Sequence, residues 1–251
     1  MTRLTTTMAA GACAALLAAS QAAADVTTFD SGTEGWSVSG RDDISDTGGN
    51  PGANMDVVLL DVFGMSARNE SNPAFLGDYN RFGNQVELTI DLKVNSIWMY
   101  DFDNNPMEVP RNLVVELVDY NDPSDPFPYT SVWYNFGEIS ADLPGWRTFS
   151  IVIDPSATDL PAGWGGTGDE DPDTFEPRLP PDRTFASILA NVEEIRFTSF
   201  EPGWFYGFTN FDVQVDNIGI RSVPEPGAAF TAAGLGALLL QRRRRRGHAA
   251  R

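Results

Sequence analysis

Between residues 86 and 94 apolar and polar side chains alternate without a break. Val86, Leu88, Ile90, Leu92 and Val94 fall on one side, and Glu87, Thr89, Asp91 and Lys93 on the other. Side chains on a β-strand switch face at every residue, so this run predicts a strand with one buried and one wet face. Shorter stretches of the same kind predict strands at Gly35–Ser39, Val57–Val62, Leu113–Tyr120, Ser131–Phe136, Trp146–Ile153, Glu194–Phe200 and Phe211–Ile220. Turn formers separate them, as at Asp103-Asn104-Asn105-Pro106 and along residues 121–126. Strand following strand, without alternating helices, argues for one all-β domain over residues 25–221: an antiparallel β-sandwich of jelly-roll type.

Three local features qualify that reading. Phe185, Ile188, Leu189 and Val192 recur at helical spacing behind Thr184 and Asp182, either of which could cap a short helix. In the last strand Val213 and Val215 set one phase and Ile218 and Ile220 the other, so a bulge near Asp216-Asn217 is needed to keep all four in one core. Residues 161–181 hold five prolines, four glycines and the acidic run Asp169-Glu170-Asp171 with Asp173, and are expected to form a structureless loop.

The two ends carry a different kind of information. Arg3, an apolar stretch from Met8 to Ala19 and the small residues Ala22-Ala23-Ala24 describe a secretory signal peptide, residues 1–24, cut by signal peptidase before Asp25. The sole cysteine, Cys13, lies inside it, with Ala10 where a lipoprotein signal would have leucine. The mature chain then has no disulfide and no thiol nucleophile. At the other end Pro224-Glu225-Pro226 precedes an apolar run, Ala228 to Leu240, and five arginines, Arg242, Arg243, Arg244, Arg245 and Arg246. A helix needs about 20 apolar residues to cross a bilayer comfortably, so this hydrophobic helix suits a transient anchor with a cytoplasmic arginine stop. An ordinary C-terminal anchor is the alternative.

The order of residues 222–251 resembles the PEP-CTERM sorting signal of Gram-negative bacteria. That resemblance implies export through the inner membrane, processing by an exosortase-type enzyme near the motif, and release to the cell surface or extracellular matrix. Without the ends the balance shifts: residues 25–225 carry all 35 acidic residues but 10 of the 17 basic ones, leaving about −25. Nucleic acid and anionic lipid surfaces would repel such a domain.

A second resemblance lies in the middle. Phe29-Asp30 with Glu34-Gly35-Trp36, then Phe75-Leu76-Gly77-Asp78 with Tyr79 to Gly83, Trp146-Arg147, Leu189-Ala190-Asn191-Val192 and Val215-Asp216-Asn217-Ile218 are similar, in that order, to laminin B (laminin domain IV) modules. The resemblance implies a galactose-binding-like jelly roll with adhesive or glycan-binding roles, Trp36 and Trp146 in the core, and a structural Ca²⁺ between first and last strands at Asp30 and Asp216.

Catalytic chemistry finds little support in the residues. The single histidine, His248, lies beyond the arginines, and no G-x-S-x-G elbow occurs. A glycosidase needs only two carboxylates, but Glu116, Asp119, Glu193 and Glu194 read as solvent-facing strand and helix-end residues. Calcium wants oxygen ligands. Asp101/Asp103/Asn105, Asp119/Asn121/Asp122/Asp125 and Asp169/Asp171/Asp173 offer them, although none follows the EF-hand pattern. Sugar stacking wants exposed aromatics, for which Trp164, Trp204 and Tyr206 are the candidates. The expectation is therefore an exported, noncatalytic surface or matrix protein; the alternatives are a calcium-stabilised module binding extracellular polysaccharide and, behind it, an acid-pair glycosidase.

Overall fold

The computed structural model describes residues 24–224 apart from 42 and 122–125. The chain runs through β1 (Ala24–Thr27), β2 (Trp36–Val38), β3 (Ile44–Gly49), β4 (Gly52–Val62) and β5 (Ser66–Asn69). It continues with β6 (Val86–Tyr100), β7 (Pro106–Glu108), β8 (Arg111–Asp119), β9 (Thr130–Ile139) and β10 (Arg147–Ile153). Then come β11 (Trp164–Thr167), β12 (Asp169–Glu170), β13 (Pro177–Arg178), α1 (Phe185–Leu189), β14 (Glu194–Thr198) and β15 (Thr209–Ser222).

Two antiparallel sheets form the sandwich. The first has the order β10-β6-β15-β4-β3, with β1 also on β15 and β7 on β6; the second has the order β11-β9-β8-β14-β5-β2. The alternating run of β6 turns Leu88, Ile90 and Leu92 inward, where Val213, Val215, Met55 and Val57 join them. The facing sheet contributes Val115, Leu117, Val132, Ile195 and Phe197, all fully buried. Trp36 is 1% exposed and meets Phe75 edge-on at 5.1 Å. Trp146, expected in the same core, is only half-buried just ahead of β10.

The bulge expected in the last strand is present. The pairing of β15 with β6 shifts register between Asp216 and Gly219, and Asn217 takes a left-handed backbone with φ 46. One extra residue returns Ile218 and Ile220 to the core beside Val213 and Val215. Helix α1 is a single turn closed by a capping box between Thr184 and Ser187, which makes Thr184 the cap rather than Asp182. Val192 lies beyond the helix and bridges to Gly77.

The stretch 161–181 departs from expectation. Trp164–Thr167 pairs with β9 and closes one edge of the second sheet, and β12 and β13 form a small hairpin of their own. Arg178 holds that hairpin through Asp169 at 2.8 Å and Asp171 at 3.4 Å. Its prolines and acids concealed the strand because β11 is short and half glycine, so no alternation could register. Residues 1–23 of the signal peptide, Glu225, Pro226, Arg242 to Arg246, Asp122 and Asp125 lie outside the described residues.

Candidate functional site

The outer face of the second sheet carries polar and aromatic groups in one cross-strand row. Register places Gly165, Trp133, Glu116, Arg196, Arg68 and Ser37 side by side on adjacent strands. Trp133 lies flat against the backbone of Gly165, where an added Cβ would fall 2.2 Å from ring atoms. Glu116 and Glu194 face away from the inter-sheet core, yet they are only 2% and 1% exposed. This corrects the solvent-facing expectation: neighbouring side chains roof this part of the sheet.

The roof has a definite construction. Tyr129 lies over the Arg196 guanidinium at 4.8 Å and meets Tyr120 edge-on at 6.0 Å. Arg196 Nε sits 3.2 Å from Glu116 and 3.3 Å from Glu194, so one cation serves two carboxylates. Ser131 donates to Glu116 at 2.6 Å, and the Tyr120 hydroxyl donates to Glu194. The cation fills the space between the acids, where an acid-pair hydrolase would need room for substrate or water.

Along the same face toward one pole of the sandwich the groups become accessible. Asn112 and Asn135 donate to Glu201 Oε2 at 2.6 and 2.9 Å, fastening the loop after β14 to strands β8 and β9. The Tyr206 hydroxyl donates to the same oxygen at 3.3 Å and accepts from Asn112 at 3.1 Å. Beneath it Arg111, almost fully buried, reaches Thr209 Oγ1 at 2.6 Å and lies 5.5 Å from the Tyr206 ring. Burial lowers the Arg111 pKa, with Tyr206 opposing. In the same loop Trp204 is 62% exposed, and the next residue, Phe205, joins Phe63 and Phe208 in an aromatic cluster. Broad exposed rings beside fixed donors and acceptors are the ingredients of a sugar-binding surface.

The candidate residues separate accordingly. Trp204 and Tyr206 both lie in this loop, two residues apart. Trp164 does not join them: it is a half-buried strand residue packed edge-on against Phe185 at 4.9 Å and beside Tyr134. Glu201, Asn112, Asn135, Arg111 and Phe63 were not singled out in the sequence, and nothing there links Asn112 to a residue 89 positions away.

Asp30 and Asp216 are brought to the same turn, residues 49–53. Asp216 accepts the N–H groups of Asn50 at 2.5 Å and Asn217 at 2.7 Å, and Asp30 accepts that of Ala53 at 2.9 Å. Asp91 takes the side-chain amides of Asn50 and Asn217 at 3.0 and 2.8 Å. Burial raises the Asp216 pKa, the two N–H donors oppose it, and Asp91 and Asp30 add to the rise. Among the described residues no group of three or more His, Cys, Asp or Glu is arranged to hold a metal ion. The other acidic candidates act as turn staples. Asp101 accepts the N–H groups of Asp103 and Asn105, and Asp171 those of Asp173 and Thr174. Burial alone would raise the Asp119 pKa; hydrogen bonds from Asn121, Arg183 and Asn191 prevail and hold it below the usual carboxylate range.

No protein-family model matches the chain, and no curated protein does. Solved structures do share features with it. One is the N-terminal portion of endo-1,4-β-D-xylanase 10B of Clostridium thermocellum, complexed with xylohexaose: 13% identity over 79% of this chain and 28% of that one, TM-score 0.40. Another is an exo-β-agarase, with 13% identity over 79% of this chain and 25% of that one, TM-score 0.42. A third is a carbohydrate esterase of the Shiga toxin-encoding bacteriophage phi24B, with 13% identity over 80% of this chain and 100% of that one, TM-score 0.39. The chain thus spans about a quarter of the xylanase and agarase chains. Likeness at this level assigns neither family nor activity.

The Glu116–Arg196–Glu194 triad yields a pH test. Burial raises the Glu116 pKa, Arg196 and Ser131 pull it down, and Glu194 adds to the rise. The folded chain then binds this proton more tightly than the unfolded one, so its contribution declines as pH rises from the ordinary glutamate range through the raised value. Glu116→Gln is expected to flatten that decline in urea unfolding measured between about pH 4 and pH 7. Arg196→Leu strands two buried carboxylates and should cost about 3–5 kcal/mol near neutral pH. Parallel pH profiles for wild type and Glu116→Gln would remove the assignment.

Proposed function

We propose that the chain is an exported, noncatalytic β-sandwich that binds neutral extracellular polysaccharide through the loop from Glu201 to Phe208. The observation that carries this reading is the loop itself. Exposed Trp204 lies two residues before Tyr206, whose hydroxyl is fixed by Glu201 and Asn112 on the outer face of the second sheet. A pyranose stacks its apolar face on such a ring and presents its hydroxyls to the neighbouring polar groups. The acidic balance of residues 25–225 disfavours uronate-rich or sulfated chains. The noncatalytic reading is supported by the enclosure of Glu116 and Glu194 around Arg196.

The placement of the domain's ends sets how a chain held by its C-terminal segment would stand. Asp25 pairs with Ile220, so the mature β1 begins beside the end of β15, while β15 starts at Thr209 next to the aromatic loop. At about 3.3 Å per residue, that strand separates the two poles by roughly 45 Å. A chain held by its C-terminal segment, as the PEP-CTERM resemblance implies, would present the aromatic pole away from the membrane.

Trp204→Ala is expected to weaken binding to neutral polysaccharide at least tenfold, about 1.4 kcal/mol, without lowering the melting temperature, because the ring is exposed. Affinity electrophoresis and calorimetry against cellulose, xylan, β-glucan and chitin fragments make the test. Wild-type protein that binds none of them sinks the reading. Mass spectrometry of the secreted protein should find an N-terminus at Asp25 and no arginine cluster; an intact tail in the mature form would remove the processing scheme. Calcium enters the proposal as a structural ion at Asp30 and Asp216, where the available donors are the hard oxygens it prefers. Saturating calcium is expected to raise the melting temperature and EDTA to reverse it. Identical melting in both removes the ion.

A further inference from the structure

Residues 201–204 form a β-turn, closed by the Trp204 N–H on the Glu201 carbonyl at 3.0 Å. Pro202 holds its second position. Gly203 holds its third with φ 87, the left-handed backbone that a type II turn requires there. Such a turn brings its first and last Cα atoms within about 7 Å, so Glu201 and the exposed Trp204 stand at its two ends. The turn is also braced by the small hairpin: a Cβ on Gly203 would fall 2.9 Å from the Pro177 ring.

The Glu201 carboxylate is held by one oxygen alone. Asn112, Asn135 and Tyr206 all donate to Oε2, at 2.6, 2.9 and 3.3 Å. Among the described residues none donates to Oε1, and no arginine or lysine forms an ion pair with Glu201. Oε1 is not among the buried atoms without a partner, so it reaches solvent. The clamp uses up most donors around it. Asn112 turns both amide hydrogens to Glu201 and the Tyr206 hydroxyl, and Tyr206 turns its only hydrogen to Glu201. Asn135 keeps one spare amide hydrogen, its carbonyl being taken by the Gly137 N–H at 2.7 Å. What the cluster has left to offer is chiefly acceptor capacity, with a negative charge at its centre.

A ligand for this cluster must bring hydrogen-bond donors and no negative charge. An ether or ester at the contact point brings no hydrogen and would leave Oε1 desolvated without a partner. A free sugar hydroxyl satisfies it through a charge-assisted O–H···O⁻ bond. We propose that Glu201 is the specificity-determining residue of the polysaccharide site: its free Oε1 accepts from an unsubstituted hydroxyl of the sugar unit at Trp204, and the site discriminates against the same sugar etherified or esterified there. This rests on the polysaccharide-binding reading above and adds the residue that reads the hydroxyl.

Glu201→Gln tests the assignment with little change of shape. The three donors of the clamp need an oxygen on their side, so they orient the glutamine amide and put N–H groups where Oε1 was. The variant is expected to melt as wild type does. By calorimetry it should bind at least fivefold more weakly whichever of cellohexaose, xylohexaose, laminarihexaose and N-acetylchitohexaose wild type binds. The per-O-methylated form of that oligosaccharide keeps the ring faces but has no hydroxyl hydrogens. Wild type is expected to prefer the free form at least fivefold, and Glu201→Gln to lose most of that preference. A smaller loss of affinity in the variant, or a preference that it keeps in full, overturns the role of Glu201 and leaves polysaccharide binding standing. A wild-type preference below fivefold overturns it too, and that measurement alone decides if the variant melts lower. No binding of any of the four by wild type overturns the underlying reading, and the inference with it.

Discussion

Strand β15 is the last of the described strands yet lies inside the first sheet, paired with β6 on one side and with β4 and β1 on the other. Of the other strands in that sheet, only β3 pairs with neither of these two long partners. The pairing joins residues 86–98 to residues 210–222 and closes a loop of more than a hundred residues, which costs entropy before any contact compensates for it. What offsets that cost is the continuous apolar seam from Leu88 to Leu92 against Val213 to Ile220, kept in phase by the bulge at Asp216. The position of β15 also sets a limit on the proposed processing. The sheet needs the chain as far as Ser222, and the Pro224-Glu225-Pro226 motif begins two residues later.

The second sheet differs in what its outer face carries. Glu116 and Glu194 are buried there around the half-buried Arg196, under Tyr129 and Tyr120, an arrangement whose desolvation is only partly offset by pairing. Such a triad contributes registry more than stability: a slip of one residue in β8 or β14 would leave a carboxylate or the guanidinium alone in a dry site. A few residues along the same strands, Asn112 and Asn135 repeat the device with an exposed outcome, since they hold the Glu201 loop without covering it. Rigid strands thus position a loop whose aromatic side chains stay in water.

Much of the fold could be read from β6. Its strict alternation, together with the phase change across Val215 and Ile218, foretold both the sandwich and the bulge that lets β15 remain in it. The short edge strands were less legible. β11 has two glycines in four residues, and β3 holds Ser45, Asp46, Thr47, Gly48 and Gly49, so neither leaves an apolar rhythm to count. Glu116 was misread for the converse reason: its alternation correctly placed it outside the inter-sheet core, but alternation says nothing about what the tyrosines of the β8–β9 connection lay over it. Of the candidate site, Trp204 and Tyr206 stood out as aromatics after Pro202-Gly203, whereas Glu201, Asn112 and Phe63 gained meaning only from their spatial neighbours.

The sequence by itself determined that this chain builds strands rather than helices, where its last strand must bulge, and that the domain is acidic once its ends are set apart. Those properties are local, being written in period, in turn residues and in charge. Tertiary structure alone decided which acids are buried and which aromatics are exposed. Trp164 and Trp204 have similar surroundings of glycine and proline, yet Trp164 is held against Phe185 while Trp204 stands free. The difference comes from long-range pairing: β11 finds an open edge on β9, and the loop after β14 is caught by two asparagines on strands far away in the chain.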